Sequence, residues 1–208
     1  MSKDTLEARQ LAEFGNLCYE NQWSLATSSN YSALFPDNSV LISRSGVDKK
    51  YIAGSDFMQV DMEGKALAGF EGLQPSAETE LHCHLYRLAQ SLKLNIRAVL
   101  HTHSKFSVYF SRKFKSFGKM AVENFELLKI FESVKTHQAR LEFPIFNNSQ
   151  VMSDITSSFE EYCKVNEFPK AYLIEGHGIY TWAETIAKAR YQLEAIEQIF
   201  EILYMEGR

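Results

Sequence analysis

The chain has 208 residues and a mass of 23.9 kDa, is 45% hydrophobic and 23% charged, and so has the composition of one large globular domain rather than a disordered or fibrous chain. Its 22 basic and 26 acidic residues leave a net charge of −4, which disfavours nucleic acid as a partner. No run of about 18 uncharged apolar residues offers a membrane span.

Lys3, Asp4, Glu7 and Arg9 put charge where a secretory leader needs an apolar segment. Cys18, Cys83 and Cys163 form neither a C-x-x-C pair nor an even framework, so reduced thiols in the cytoplasm are expected. No repeat, low-complexity tract or linker breaks the sequence, and residues 1–208 are read as a single domain. Residues 4–21 read as a helix, with Leu11, Phe14 and Cys18 at 3–4 spacing. Short strands are expected at 24–27, 31–35, 39–43 and 57–62. A strong helix over 76–94 carries Leu81, Leu85, Leu88 and Leu92 on one face, with Ser76 placed to cap it. An apolar strand over 98–102 follows, then helical stretches at 105–113 and 122–134 and, after Phe143-Pro144-Ile145-Phe146, a helix at about 150–165. Strands at 171–175 and 179–182 flank Gly176-His177-Gly178, and a last helix over 184–206 is striped by Ile186, Leu193, Ile196, Phe200 and Leu203. Mixed helices and short strands point to an α/β or α+β sheet covered by helices, and periodicity does not separate parallel from antiparallel pairing.

Four of the six histidines fall in two H-x-H pairs, His82/His84 and His101/His103. Residues i and i+2 share a face on a strand but diverge by about 200° on a helix. His82 and His84 lie inside the leucine-striped helix and cannot share an ion. His101 and His103 close the Val99-Leu100 strand and can. A catalytic zinc takes three protein ligands and keeps a position open, and the third ligand is read as His177, where two flanking glycines let the chain turn tightly. His137 reads as a structural or supporting residue. On ligand softness the ion can be zinc, iron, manganese or cobalt, and three imidazoles tilt the choice to zinc. Such an ion steadies negative charge on a carbonyl or alkoxide oxygen while an adjacent proton is lost.

That chemistry also needs a proton carrier. Glu126, heading Glu126-Leu127-Leu128-Lys129 on the expected helix, is one candidate. Glu78, at the start of the leucine helix, where the dipole favours its ionised form, is the other. Three small polar segments offer hydroxyls, N–H groups or a helix N-terminus to an anion: residues 26–30, 43–49 and 75–78. Arg112-Lys113-Phe114-Lys115, with Lys119 nearby, reads as a solvated loop in preference to a guide for an anionic substrate.

Together these segments resemble the class II aldolase/adducin superfamily, and within it the methylthioribulose-1-phosphate dehydratases of methionine salvage, over about residues 8–206. Marks of the superfamily are Thr27-Ser28-Ser29-Asn30, Ser45-Gly46, Ser76-Ala77-Glu78, His101-Thr102-His103 and Gly176-His177-Gly178. Closer to the dehydratases are Ser45-Gly46-Val47-Asp48-Lys49, Ser104 directly after the histidine pair, Glu126-Leu127-Leu128-Lys129, Thr136-His137 and His177-Gly178-Ile179-Tyr180-Thr181-Trp182. Ser29 stands where the family often has glycine, and its Cβ is expected to narrow the loop or alter its backbone. Val151 and Ala183 replace a common aspartate and a frequent glycine.

The resemblance implies a three-layer αβα fold with a central, largely antiparallel sheet, and a homotetramer with active sites near subunit interfaces. It implies one zinc per subunit, held by His101, His103 and His177, with Glu126 as acid/base and Glu78 as a possible second. Thr27, Asn30, Ser45, Gly46 and Ser76 would anchor a substrate phosphate. The implied reaction is loss of water from 5-methylthioribulose 1-phosphate. The competing readings are an aldolase or epimerase acting on another ketose phosphate, and, further off, a metal-free scaffold of the adducin kind.

Overall fold

The structure, a computed structural model, describes residues 5–208; Lys3 and Asp4, and with Asp4 the expected start of the first helix, lie outside the described residues. The chain divides into two compact units. One runs to Thr102 and takes in Trp182–Ala189; the other holds His103–Thr181 and Arg190–Arg208.

Helix α1 (Leu6–Glu20) opens the first unit, capped by Thr5, whose Oγ1 accepts the Ala8 N–H at 3.1 Å. Its buried face includes Leu11, Phe14, Gly15 and Cys18. A Cβ at Gly15 would lie 2.7 Å from Ile52 Cγ2, so glycine is what permits this close approach. Strands β1 (Asn30–Leu34), β2 (Val40–Ser43), β3 (Phe57–Val60) and β4 (Ala98–Thr102) are buried along their whole length. β1 pairs antiparallel with both β2 and β4, and β2 with β3. The β1/β4 register sets Asn30 opposite His101 and Ser32 opposite Val99.

Residues 24–27 are turns rather than the expected strand. The Trp23 and Ser24 N–H groups return to the Cys18 carbonyl and finish α1, and Gln22 and Ala26 hold positive φ. Helix α2 (Thr79–Ser91) is shorter than expected, and Ser76 does not cap it. The Ser76 carbonyl accepts the Thr79 N–H and its hydroxyl accepts the Glu78 N–H at 3.3 Å, closing a turn before the helix. The N-cap position falls to Glu78, whose side chain makes no capping bond. The leucine stripe also ends early. Leu81 and Leu85 are buried but Leu92 is 46% exposed, and the buried face carries His82 and Tyr86 as well.

The second unit contains α3 (Lys105–Lys113), β5 (Lys119–Glu123), β6 (Arg140–Phe146), α4 (Met152–Val165) and β7 (Ala171–Ile174). β8 (Gly178–Ala183) and α5 (Ile186–Met205) contribute to both units. The helix expected over 122–134 is absent. Met120 and Val122 are buried between exposed Lys119 and Glu123, a period-two pattern that makes β5, and Asn124 at φ 65° then turns the chain into a single 3-10 segment, Glu126–Ile130. β5 pairs antiparallel with β6, and β7 with β8. β6 pairs parallel with β7, but only from Ile145, because Pro144 has no N–H to give the ladder.

The strands among the described residues form one sheet in the order β3-β2-β1-β4-β8-β7-β6-β5. The fold is therefore mixed α/β around a central, largely antiparallel sheet. Among the described residues no helix is long and apolar enough to cross a membrane.

Candidate metal centre and active site

His101 lies near the end of β4 and is fully buried. Glu78 reaches it from the start of α2: Glu78 Oε2 is 3.3 Å from His101 Nε2 and accepts a hydrogen bond from Asn30 Nδ2 at 3.1 Å. One helical turn beyond Glu78, His82 bonds through Nε2 to Asn30 Oδ1 at 2.5 Å and through Nδ1 to Ser32 Oγ at 2.7 Å. Ser32 Oγ also meets Tyr86 Oη at 2.7 Å. Both nitrogens of His82 are thus engaged within the core, and His84 is buried in the same helix.

His103 follows β4 directly. The next residue, Ser104, caps α3 by accepting the Ser107 N–H at 3.0 Å, and its hydroxyl donates to the buried Glu197 carboxylate at 2.6 Å. His177 sits in the β7–β8 hairpin, its N–H bonded to the Ile174 carbonyl at 3.1 Å. Gly176 before it has φ 64°, its N–H is held by Ser111 Oγ at 2.9 Å, and a Cβ there would approach Arg112 Nε to 3.1 Å. The His103 and His177 rings stand edge to face with centroids 4.5 Å apart.

Ligand atoms of Glu78, His101, His103 and His177 all lie within 4.8 Å of one another. Donors about 2.1 Å from a tetrahedral ion stand about 3.4 Å apart. The 3.3 Å between Glu78 and His101 matches that spacing, and three imidazoles with one carboxylate suit a divalent metal.

Glu126 is not in this group. It lies on the 3-10 segment, 70% exposed, with Lys129 Nζ on its Oε1 at 2.5 Å and His137 Nδ1 3.8 Å from its Oε2. The Lys129 hydrogen bond holds its carboxyl below the ordinary carboxylate value.

The residues expected to anchor a phosphate all belong to the first unit. Thr27, Ser45 and Gly46 are exposed, Ser76 is half-buried and Asn30 is buried. The Ser45 N–H bonds the Gln74 carbonyl and the Ser76 N–H bonds the Ser43 carbonyl, tying two of the three segments together. Within the 43–49 segment Lys49 is 1% exposed and donates to the Val47 carbonyl at 2.9 Å. Burial pushes Lys49 down to about 8, with Asp48 and Asp56 raising it against that trend. Ser29 holds φ 73°, the left-handed conformation a glycine would take, and its Oγ accepts from buried Ser24 at 2.7 Å. Its Cβ is therefore accommodated beside Ser24 with the backbone still glycine-like.

Sequence reasoning gave Glu78 a proton-carrying role and missed its place among the donors, and it left His82 without a task. For His82 the available signal was the i, i+4 spacing of Glu78, His82 and Tyr86, which puts three polar groups on one helical face.

Burial pushes the His82 imidazole down to about 4, the Glu78 charge raising it against that effect. The depressed value makes its contribution to stability complete above the unfolded value of 6.5 and lost as pH falls from there toward about 4. Melting temperature over that window should fall more steeply for the wild type than for His82→Gln. Equal slopes would show that His82 charging is not part of acid unfolding.

The chain belongs to the Class II Aldolase and Adducin N-terminal domain family, whose model matches residues 9–204. Within it, the chain is 40% identical to a protein of Hahella chejuensis named methylthioribulose-1-phosphate dehydratase, over 95% of this chain and 92% of that one. It is 38% identical to a protein of the same name from Alcanivorax borkumensis, over 94% of this chain and 89% of that one. Among solved structures it is similar to YgbL of Klebsiella pneumoniae, with a TM-score of 0.80 at 16% identity over 100% of this chain and 92% of that one. It also resembles L-fuculose-1-phosphate aldolase of Thermus thermophilus, with a TM-score of 0.71 at 21% identity over 95% of this chain and 92% of that one. These likenesses establish a class II aldolase-like fold.

Proposed function

We propose that this protein is a zinc-dependent hydro-lyase that converts 5-methylthioribulose 1-phosphate to 5-methylthio-2,3-dioxopentyl phosphate and water in methionine salvage. The observation that carries this reading is the gathering of three imidazoles and a carboxylate within 4.8 Å, in a chain 40% identical to a protein named for that dehydration. Residues 1–208 act as one domain, in a cytoplasmic homotetramer with its sites near subunit interfaces. That Cys18, Cys83 and Cys163 are joined in no disulfide supports the cytoplasmic setting.

His101, His103 and His177 would hold the zinc, which when bound supplies a Lewis acid that lowers the energy of negative charge on the substrate's C2 and C3 oxygens. Thr27, Ser45, Gly46 and Ser76 would donate to the phosphate, joined by the second N–H of the Asn30 amide, the first being given to Glu78. Glu126 takes the proton from C3. Because its carboxyl is held below the ordinary value, it enters as an acceptor and donates only after being charged with that proton. It passes the proton to the C4 hydroxyl, which leaves as water, and the resulting enol becomes the C3 ketone. Glu78 is the second acid/base candidate.

An aldolase or epimerase acting on another ketose phosphate is the alternative, and the place of Glu78 beside His101 favours it, since that glutamate matches the aldolases' own. The test is to incubate zinc-loaded enzyme with 5-methylthioribulose 1-phosphate and trap vicinal diketones with an aromatic diamine. A quinoxaline whose mass corresponds to a diketone one water lighter than the substrate supports the dehydratase. Release of glycolaldehyde-type fragments from pentulose phosphates, with no diketone, replaces it with the aldolase. Purified protein without metal that gains nothing from added zinc would leave only a scaffold.

A further inference from the structure

We propose that His82 is a positioning residue for this site: its imidazole fixes the Asn30 amide with the N–H side turned to Glu78, and so holds the Glu78 carboxylate against His101.

The argument starts from the sheet. Asn30 and Ser32 are i and i+2 on β1, so their side chains share a face, and Asn30 stands across the ladder from His101. The His82 ring, entering from α2, spans the two, with Nδ1 on Ser32 Oγ at 2.7 Å and Nε2 on Asn30 Oδ1 at 2.5 Å. Glu78, His82 and Tyr86 lie at successive i+4 steps on one face of that helix, so the same face that places the ring also places the carboxylate.

The donors can be assigned from chemistry. A carboxylate only accepts, so the Asn30 atom 3.1 Å from Glu78 Oε2 is the N–H₂ group, and the atom facing His82 is the carbonyl oxygen. A carbonyl also only accepts, so His82 Nε2 carries the hydrogen. In a neutral ring Nδ1 then accepts from the Ser32 hydroxyl, whose oxygen accepts from Tyr86 Oη–H. Every hydrogen bond from Tyr86 to Glu78 thus points the same way. The opposite imidazole tautomer would present a lone pair to the Asn30 carbonyl. Turning the amide to relieve that would set its oxygen against the Glu78 carboxylate. Asn30 is 5% exposed and His82 fully buried, so water offers little substitute for either partner. Burial, which keeps the ring neutral, agrees with this assignment.

The test has two arms, and only the first rests on the dehydratase reading. His82→Phe keeps the bulk of the ring and removes both nitrogens, while His82→Gln retains an N–H donor; each is made in the wild type and in Asn30→Ala. His82→Phe should lower kcat for diketone formation about 10–100-fold with KM changed less than about threefold, and His82→Gln should recover part of that loss. In the Asn30→Ala background, His82→Phe should cost less than about threefold more, since the group it positions is gone. Equal losses in both backgrounds, or no loss in the wild type, overturn the proposal. The second arm labels histidine with ¹⁵N in the otherwise unchanged protein. A neutral His82 ring protonated at Nε2 supports the proposal, and an Nδ1–H ring or an imidazolium at neutral pH overturns it. A wild type that makes no diketone sinks the proposed function alone, and the tautomer then decides; it also decides if His82→Phe does not fold.

Discussion

His101→Ala is expected to strip the metal and abolish turnover together. Removing a residue that only supports a ligand typically weakens metal binding about 10–100-fold, and removing a ligand should exceed that range. The loss in kcat should exceed about 10²–10³-fold, the usual cost of removing one stabilising group for a developing oxyanion. Because His101 is fully buried and packed beside Asn30 and Glu78, its truncation also opens a cavity, and some of the lost activity would then report on folding. His177→Ala separates the two effects. That ring sits half-exposed on a hairpin whose backbone is held by the Ile174 carbonyl and Ser111, so its removal should leave the melting temperature of the apo protein nearly unchanged. Metal analysis of both variants should find far less than the roughly one ion per chain expected of the wild type. If His177→Ala kept its metal, the ligand set would have to be redrawn around Glu78.

Much of this site was legible because its positions follow from local rules. An H-x-H pair closing an apolar strand shows two rings on one face, and a histidine between glycines after another apolar strand marks a tight hairpin. The buried strands β2, β4, β7 and β8 were legible for a similar reason: they are short, mainly apolar runs. The misread segments are those where local pattern is weak or is overridden. Lys119–Glu123 offers only Met120 and Val122 as its apolar alternation, and the leucines of 127–128 beyond it look helical until Asn124 turns the chain. Trp23 to Thr27 has strand-forming residues, but its first amides are taken by the end of α1. The place of Glu78 beside His101 could not be read at all from spacing. Twenty-three positions separate them, and their meeting depends on the β1/β4 register together with where α2 begins. Ser76 shows why that start was misplaced: a serine two residues before a glutamate reads as a helix cap, yet its hydroxyl closes a turn and frees the Glu78 side chain for the site.

Glu126→Gln should abolish turnover while leaving the metal in place, a loss on the order of 10²–10⁴-fold for removal of an acid–base group. Metal retention is expected because Glu126 lies outside the cluster of donors and its carboxylate meets Lys129 and His137 instead. Glu78→Gln should do the reverse in emphasis. The amide keeps the size of the side chain but removes a negative charge from among three imidazoles, so metal affinity should fall, measured by competition with a chelating dye, and kcat should suffer less than in Glu126→Gln. The two outcomes cannot be exchanged without changing the mechanism: normal activity in Glu126→Gln with a dead, metal-loaded Glu78→Gln would move the proton transfer to Glu78. A third variant tests the same carboxylate through its electrostatics. The Lys129 hydrogen bond lowers the Glu126 carboxyl, so the enzyme should keep its base ionised to a lower pH than an ordinary glutamate allows. Lys129→Met removes that bond, and the acid limb of kcat/KM should then move to higher pH with the metal content unchanged. An acid limb that stays in place would mean that the group titrating in it is some residue other than Glu126.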